Sequence, residues 1–391
     1  MKSPPTTAPL WLLALLTFSG TLAMHIFVPA LPRAGQDLGA APAEMQLTIS
    51  LYIMGLAFGQ LIYGPLADRL GRRPVLMAGL CLYTLAGLAA ALAPGVQGLI
   101  AARLFQALGG CAGLVLGRAL VRDLSAGADV ARRMALMNLM VVIGPGAAPL
   151  VGALLAESLG WQAILWALVG LGLFNLALSW RLLPEPPRAP AGDFRDVLRN
   201  YRGLLRSPAF LGFALGGGCA TTSMYAYVAA APFIYVHELG RPDVEVGFYL
   251  AVLIFGIWGG SVAASWMAGR MDGNRMLALG NGASMLAGLA MLAVVLAGLA
   301  SVAALVGLMF VFTFGMGIAS PAAMTKAIAV DPRAVASASG LYGFVQMAVG
   351  AACAALAGIG DSPMLAAAVV IAAAGVISQI CFRLAARSPA N

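Results

Sequence analysis

The sequence GQLIYGPLADRLGRRPVL, residues 59–76, decides the fold, because one apolar run ends in it and a second begins after a short polar turn. Gly64 and Gly71 permit close packing and unusual dihedral angles. Pro74 suits the first turn of the helix that follows. The chain is therefore predicted to turn tightly between two apolar helices.

One acid lies in this turn among an excess of base. Asp68 is followed by three arginines: Arg69, Arg72 and Arg73. An ion pair of Asp68 that forms in one conformation and breaks in another would act as a switch. The alternative interpretation is a positively charged loop with an incidental acid.

The composition places the chain in lipid. Of its 391 residues 61% are hydrophobic and 10% are charged, whereas about a quarter of the residues of a soluble domain are charged. The net charge of +8 comes from arginines at the ends of apolar runs, and this excludes the basic patch of a nucleic-acid-binding protein. The five scattered cysteines, without a C-x-x-C pair, predict neither a disulfide framework nor a metal site.

Twelve apolar runs are long enough to span a bilayer, which takes about 20 residues. The first is too long for the apolar part of a signal peptide and is interpreted as a retained span. The runs are 10–31, 44–66, 74–94, 96–120, 134–156, 160–183, 208–236, 244–268, 275–296, 301–323, 336–358 and 364–384.

The distribution of Lys and Arg predicts the orientation. Twenty of the 23 lie on one side of the predicted membrane, whereas Arg33 and Arg241 lie on the other. Because cytoplasmic loops carry the excess of positive charge, both termini are predicted to be cytoplasmic. A multi-pass protein of a bacterial inner membrane is expected, in direct contact with lipid and monomeric.

The twelve runs divide into two sets of six. An N-terminal bundle (1–183) and a C-terminal bundle (208–391) are joined by a cytoplasmic linker (184–207) that is rich in Pro and then in Arg. The linker is predicted to contain a short amphipathic helix. A six-plus-six repeat is a transporter architecture, with the substrate path between the halves near mid-membrane.

The fourth run carries a charge inside the membrane. Arg103, in RLFQALGG, is the one Lys or Arg in the central part of any run. Such a charge costs about 3 kcal/mol even on the lenient insertion scale, which favours a functional role. The alternative is an arginine that extends its side chain to the membrane surface.

The fifth run, NLMVVIGPGAAPLVGALL, concentrates residues that disturb a helix and let a neighbour approach closely. They are Gly144, Pro145, Pro149 and Gly152. Taken alone, the pattern also fits ordinary packing of membrane helices.

These motifs together resemble those of the major facilitator superfamily, in particular the Bcr/CflA (bicyclomycin-resistance) branch of its drug:proton antiporters. The resemblance rests on residues 59–76, on RLFQALGG and LVLGRALVRD in the fourth run, and on the fifth run, where alanines stand at two positions usually occupied by glycine. It implies an all-α membrane protein with the major facilitator fold, twelve transmembrane helices in two pseudo-symmetric six-helix bundles. It also implies that Asp68 pairs with Arg118 or Arg122, and that Arg103 and Gln106 belong to the proton-coupling network.

The first run departs from that family. The resemblance places an acid in the central cavity where this sequence has His25, in MHIFVPALP, and no Asp or Glu lies near the middle of any run. His25 and Arg103 lie at similar depths, so the two are predicted to share one polar site. Three interpretations stay open. In the first, His25 carries the proton, since histidine titrates near neutrality; in the second, a neutral His25 binds substrate or a helix. In the third, coupling runs through Asp68 or Glu44 at helix ends, or the protein is only weakly coupled to protons.

The remaining cavity is expected to be apolar and aromatic. The candidate substrate residues are Tyr52, Gln60, Asn138, Thr222, Tyr225, Tyr227, Phe233, Phe312 and Gln346.

The predicted function is secondary active efflux of small amphipathic drugs or metabolites in exchange for protons, by alternating access and without a cofactor or metal. The fifth run favours export over the alternative of a facilitator or proton-coupled importer of a metabolite such as a sugar. The chain has no H-E-x-x-H and no P-loop, so an enzyme is not expected. A receptor is a further alternative.

Overall fold

We describe a computed structural model of the chain at residues 8–124, 128–185, 194–268, 270–332 and 334–387. These residues form fifteen α-helices: α1 (Leu10–Phe27), α2 (Leu31–Leu38), α3 (Pro42–Leu70), α4 (Arg72–Ala91), α5 (Val96–Asp123), α6 (Ala128–Leu159), α7 (Gln162–Leu182), α8 (Phe194–Leu205), α9 (Pro208–Thr222), α10 (Met224–Phe233), α11 (Asp243–Met267), α12 (Gly273–Leu296), α13 (Val302–Ala329), α14 (Val335–Leu356) and α15 (Pro363–Arg387).

Ten helical segments in the described part of the chain are long and apolar enough to cross a membrane. Two further segments complete the twelve: α6, and the broken helix formed by α9 and α10. The predicted all-α membrane fold with twelve spans is therefore confirmed. Since lipid offers no partner for backbone polar groups, helices that satisfy their own hydrogen bonds are the expected solution.

The first span is longer than predicted. It was expected to end at residue 31, but it continues through a 3₁₀ turn (Val28–Ala30) into α2 and reaches Leu38. Pro29 and Pro32 have no N–H to donate, and this interrupts the α-helical hydrogen bonds without ending the span. The polar residues after Pro32 form an exposed face of α2, which the apolar run alone did not reveal.

The seventh span is broken twice. It divides at Ser223, whose hydroxyl donates to the carbonyl of Cys219 at 2.6 Å, and it ends in a π-helical turn, Ile234–Glu238. Pro232, just before this turn, again removes a backbone donor. π-helical turns inside longer helices often mark functional sites.

The two halves repeat one packing plan. In the first half α5 packs against α1, α3 and α4, and α4 also packs against α7. In the second half α13 takes the position of α5 and packs against α9, α11 and α12. There α12 takes the position of α4 and also packs against α15. The halves meet through equivalent pairs, α3 with α14 and α6 with α11. This is the geometry of a six-plus-six repeat.

The bundle has two chemically distinct ends. We name the end that carries Arg69, Arg72 and Arg122 the arginine-rich end, and the end that carries the loops 39–41 and 239–242 the arginine-poor end. At the arginine-poor end α10 packs against the 3₁₀ turn and against α2, so that the first and seventh spans close together there.

The predicted amphipathic helix of the linker is α8. Its apolar side chains Val197, Leu198 and Tyr201 line a cavity of about 370 Å³ against α3. The Tyr201 hydroxyl donates to the carbonyl of Leu61 at 3.4 Å. The linker helix therefore lies on the arginine-rich end of the bundle, in contact with the first half.

Candidate functional site

His25 lies on α1 at the interface between the halves. Its side chain is buried, and its Nδ1 lies 2.8 Å from the carbonyl oxygen of Thr21. Since a carbonyl only accepts, Nδ1 is assigned the hydrogen, and Nε2 is left as the acceptor of the neutral ring. The ring lies tilted against that of Tyr225 on α10, with 6.2 Å between ring centroids. The first and seventh spans therefore meet at His25.

Arg103 is fully buried inside the first half, with 0% of its surface exposed. Its Nη1 donates to Oε1 of Gln106 at 2.7 Å and its Nη2 donates to the carbonyl of Ala23 at 2.8 Å. The guanidinium carbon lies 4.2 Å from the ring centroid of Tyr52 and 5.2 Å from that of Phe27. Arg103 is thus held by neutral acceptors and aromatic faces, and it does not extend to the membrane surface.

The structure brings His25 and Arg103 to one level of α1, because Arg103 bonds the carbonyl of Ala23, two residues before His25. The two side chains serve different surroundings: Arg103 lies within the first half, and His25 faces the second. No ion pair of Arg103 occurs among the described residues. Within the described part of the chain, Arg103 Nε and Gln106 Nε2 have no hydrogen-bond partner.

The expected pairing of Asp68 with Arg118 or Arg122 does not occur among the described residues in this conformation. Asp68 pairs with Arg72 at 2.8 Å, and Arg72 also contacts Asp123 at 2.9 Å. Arg72 lies one turn beyond Asp68 across the turn at Gly71, so its guanidinium reaches both carboxylates. Arg72 therefore takes the place that the resemblance gave to an arginine of α5, and α5 contributes Asp123 as the second partner of Arg72.

The other residues of the switch turn have separate environments. Gly71 has φ = +100°, a conformation that side-chain-bearing residues rarely adopt, whereas no atom lies within 4 Å of a Cβ built at Gly64. Arg73 donates to the carbonyl of Trp180 at 2.7 Å. Arg69 and Arg118 have exposed surface.

α6 touches both halves. A Cβ built at Gly152 would overlap the backbone carbonyl of Ile26 on α1, and one built at Gly247 on α11 would lie 2.9 Å from the carbonyl oxygen of Pro149. Close approach of the backbones explains why these positions carry small residues or proline. The surroundings of Asn138, Gly144 and Pro145 lie outside what the structure describes.

The candidate cavity residues are divided among three places. Tyr52 is buried in the first half, and its hydroxyl donates to the carbonyl of Gly20 at 2.7 Å. Gln60 lies between the halves, against Gly343 of α14. Phe312 is buried in the second half.

Thr222 and Gln346 join α9 to α14. The Thr222 hydroxyl donates to the carbonyl of Gln346 at 2.7 Å, and Gln346 Nε2 donates to the Thr221 hydroxyl at 2.7 Å. Thr221 was not predicted, since nothing in the sequence distinguishes it from an ordinary helix residue.

The aromatic candidates of the seventh span, Tyr227 and Phe233, contact residues that the sequence did not single out. The buried hydroxyls of Tyr227 and Tyr235 are hydrogen-bonded to each other, and Phe233 packs against His237 at 5.7 Å. Tyr235 in turn packs against Tyr249 on α11, with 4.5 Å between ring centroids. Tyr235 and Tyr249 were missed because the π-helical turn that aligns them has no sequence pattern of its own.

Across the described residues no three His, Cys, Asp or Glu side chains gather closely enough to hold a metal ion. The interface therefore offers the imidazole of His25 and several hydroxyls, with the buried guanidinium of Arg103 beside it in the first half. These groups are suited to bind polar atoms of a ligand and to exchange protons.

Twelve spans in two matching halves, with polar side chains where the halves meet, define a polytopic membrane transporter. Residues 13–355 match the model of the Major Facilitator Superfamily. The chain belongs to this family.

Relatives of the chain carry transporter and resistance names. It is 30% identical to an uncharacterized MFS-type transporter, YdgK, of Bacillus subtilis, over 95% of this chain and 94% of that one. It is 26% identical to a bicyclomycin resistance protein homolog of Haemophilus influenzae, over 87% and 86% of the two chains. The crystal structure of a D-xylose-proton symporter has the same fold, with a TM-score of 0.75 over 97% of this chain and 98% of that one, at 12% identity.

Proposed function

We propose that this chain exports small amphipathic drugs or metabolites from a bacterial cell in exchange for protons. The observation that carries the proposal is the position of α6, whose Gly152 packs on α1 while Pro149 backs against α11. These two residues belong to the stretch that resembles the antiporter pattern. The contact of Pro149 lies between the halves, whereas that of Gly152 joins α6 to α1 of its own half, so α6 connects the first span to the second half.

We propose that the chain works by alternating access. The two halves would rock about the level of His25, opening first toward the arginine-rich end and then toward the arginine-poor end. Substrate shifts that equilibrium only as far as it binds one state better than the other. His25, on the interface, is placed to exchange a proton in step with that motion.

The orientation is part of the proposal. With the arginine-rich end in the cytoplasm, both termini and α8 face the cytoplasm, and the arginine-poor end faces outward. A green fluorescent protein fused after residue 391 folds on the cytoplasmic side, so bright cells are the expected result and dark cells contradict this orientation.

The transport test has two stages. Expression in a drug-sensitive bacterial strain should raise its resistance to at least one of bicyclomycin, chloramphenicol and ethidium. The compound with the largest effect is then followed in inverted vesicles, where an imposed proton gradient should drive its accumulation. Accumulation that an uncoupler leaves unchanged would contradict proton exchange, and accumulation only in right-side-out vesicles would indicate import.

A further inference from the structure

A cavity between α3 and the linker helix α8 lies apart from the interface site. It has a volume of about 370 Å³. Its α3 wall is lined by Leu61, Ile62, Pro65 and Leu66, whose positions i, i+1, i+4 and i+5 share one face of the helix. Among the described lining residues Tyr201 carries the one hydroxyl, and it donates to the carbonyl of Leu61 at 3.4 Å. The α3 wall of the cavity is therefore apolar from Leu61 to Leu66.

An arginine ends this apolar face. Arg69 lies in the next turn of α3, at the arginine-rich end, and it is the one charged side chain among the described residues that line the cavity. Its neighbour Asp68 pairs with Arg72, and no ion pair of Arg69 occurs in the described part of the chain. At 1.5 Å per residue, Arg69 lies about 12 Å along the helix axis from Leu61. The cavity thus fits a ligand with an apolar chain and an anionic head.

The cavity opens toward the lipid. Of the side chains that line it, Ile62 and Leu66 have 46% and 37% of their surface exposed, and Leu198 on α8 has 60%. Exposed apolar side chains of a span lie against acyl chains, because the core of the bilayer contains no water. A lipid chain can therefore enter the cavity from the side, without passing between the two halves.

The helix that closes the cavity carries further positive charge. Arg195, Arg199 and Arg202 lie at positions i, i+4 and i+7 of α8 and share one face. Asp196 is the one acid in the sequence of α8, and it pairs with Arg199 at 2.8 Å. A helix with one apolar and one basic face lies in the membrane interface and is attracted to anionic lipids. α8 therefore favours an anionic headgroup at the arginine-rich end, where Arg69 lies.

We propose that the cavity between α3 and α8 binds an anionic phospholipid, with one acyl chain along Leu61 to Leu66 and the phosphate at Arg69. A guanidinium suits a phosphate because it offers two N–H donors at once. A soluble anion would leave the apolar wall uncovered, and an uncharged lipid would leave Arg69 without a partner. This inference is independent of the direction of transport and of proton exchange.

The bound lipid supports a helix that joins the two halves. α8 packs against α9 and α14 of the second half, while its Tyr201 donates to the carbonyl of Leu61 in the first half. The lipid fills the space between α8 and α3, so it binds the folded protein and not the unfolded chain. A ligand of this kind raises the melting temperature of the protein, and this gives the binding a measurable effect.

The test is thermal unfolding of the purified full-length protein in detergent, after removal of co-purified lipid. Phosphatidylglycerol is added as the anionic lipid, phosphatidylcholine with the same acyl chains as the lipid without net charge, and glycerol phosphate as an anionic headgroup without chains. Arg69→Gln removes the charge from the cavity. Arg270→Gln is the matched control, because Arg270 is an exposed arginine at the same end of the bundle that does not line this cavity; its guanidinium lies over the ring of Trp266, at 4.3 Å from the centroid.

For the wild type we expect phosphatidylglycerol to raise the melting temperature by at least about 3 °C more than phosphatidylcholine does, and glycerol phosphate to leave it unchanged. Arg270→Gln should keep this difference between the lipids, and Arg69→Gln should lose it. Val197→Trp, which places a large ring in the cavity, should weaken the response to phosphatidylglycerol.

Three results would overturn the proposal. They are equal effects of the two lipids on the wild type, an effect of glycerol phosphate as large as that of phosphatidylglycerol, and the same difference between the lipids in Arg69→Gln as in Arg270→Gln. An undiminished response of Val197→Trp would count against the chain position along α3. Because Arg69 is exposed, its variant is expected to fold, and it decides the headgroup site on its own.

Discussion

Replacing Gly152 with alanine tests the contact between α6 and α1. A Cβ at this position would lie 2.8 Å from the carbonyl carbon of Ile26 and closer still to its oxygen. Ordinary contacts between such atoms are about 3.5–4.0 Å, so the helices must separate by roughly 1 Å. Overpacking of this kind costs about 1–3 kcal/mol.

The gain from alanine in a helix partly offsets this cost. Alanine is better than glycine in a helix by roughly 0.5–1 kcal/mol, so Gly152→Ala should lose up to about 2 kcal/mol of stability. Gly170→Ala on α7 is the matched control, because no atom lies within 4 Å of a Cβ built there. It should be as stable as the wild type or slightly more so.

The assay is thermal unfolding of both variants in the same detergent, together with counterflow in liposomes. Gly152→Ala should melt below the wild type and transport more slowly, while Gly170→Ala should do neither. Equal melting temperatures for the two variants would refute the close approach of α6 to α1. Transport unchanged in a destabilised Gly152→Ala would refute the part that this contact has in the motion.

Three further outcomes follow from the contacts of other side chains. Arg103→Lys keeps the charge but removes the forked donor, and since a hydrogen bond to a charged group contributes about 1.5–3 kcal/mol, coupled transport in vesicles should fall about tenfold or more. Arg72→Ala breaks the ion pairs to Asp68 and Asp123 and should lower the stability, measured by thermal unfolding at low salt, by about 1 kcal/mol. Arg122→Ala is the control, because the exposed Arg122 contacts Asp123 only at 3.8 Å, and it should change the stability by less. Thr221→Val leaves the amide of Gln346 without its acceptor and should cost about 1–3 kcal/mol, measured by unfolding, and a wild-type melting temperature would contradict that bond.

Much of the fold was predictable because lipid imposes simple rules. A span needs about 20 apolar residues, and basic residues mark one side, so counting was enough for eleven span positions and the linker helix α8. The end of the first span was not predictable in this way. Whether Pro29 and Pro32 end a helix or only bend it depends on what packs beside them.

The site was predictable at single residues but not in its connections. Arg103 and His25 stood out because ionisable groups are rare inside apolar runs. The partners of Arg103 include a backbone carbonyl, at Ala23, and every residue has one, so sequence alone does not single it out. The ion pair that Asp68 makes in this structure was not predictable for a related reason: the turn at Gly71 brings Arg72 between Asp68 and Asp123.

The two halves share their packing plan but differ in chemistry, and a directional carrier requires that difference. Repeated helices give two equivalent contacts, α3 with α14 and α6 with α11, so rocking is mechanically balanced. A perfectly symmetric interior would treat the two membrane sides alike. Here the first half buries a guanidinium among neutral acceptors, and the second half buries the hydrogen-bonded hydroxyls of Tyr227 and Tyr235. Among the described residues, the second half buries no charged side chain that corresponds to Arg103, so the two halves differ in how they would respond to a charged ligand or to a proton at their interface.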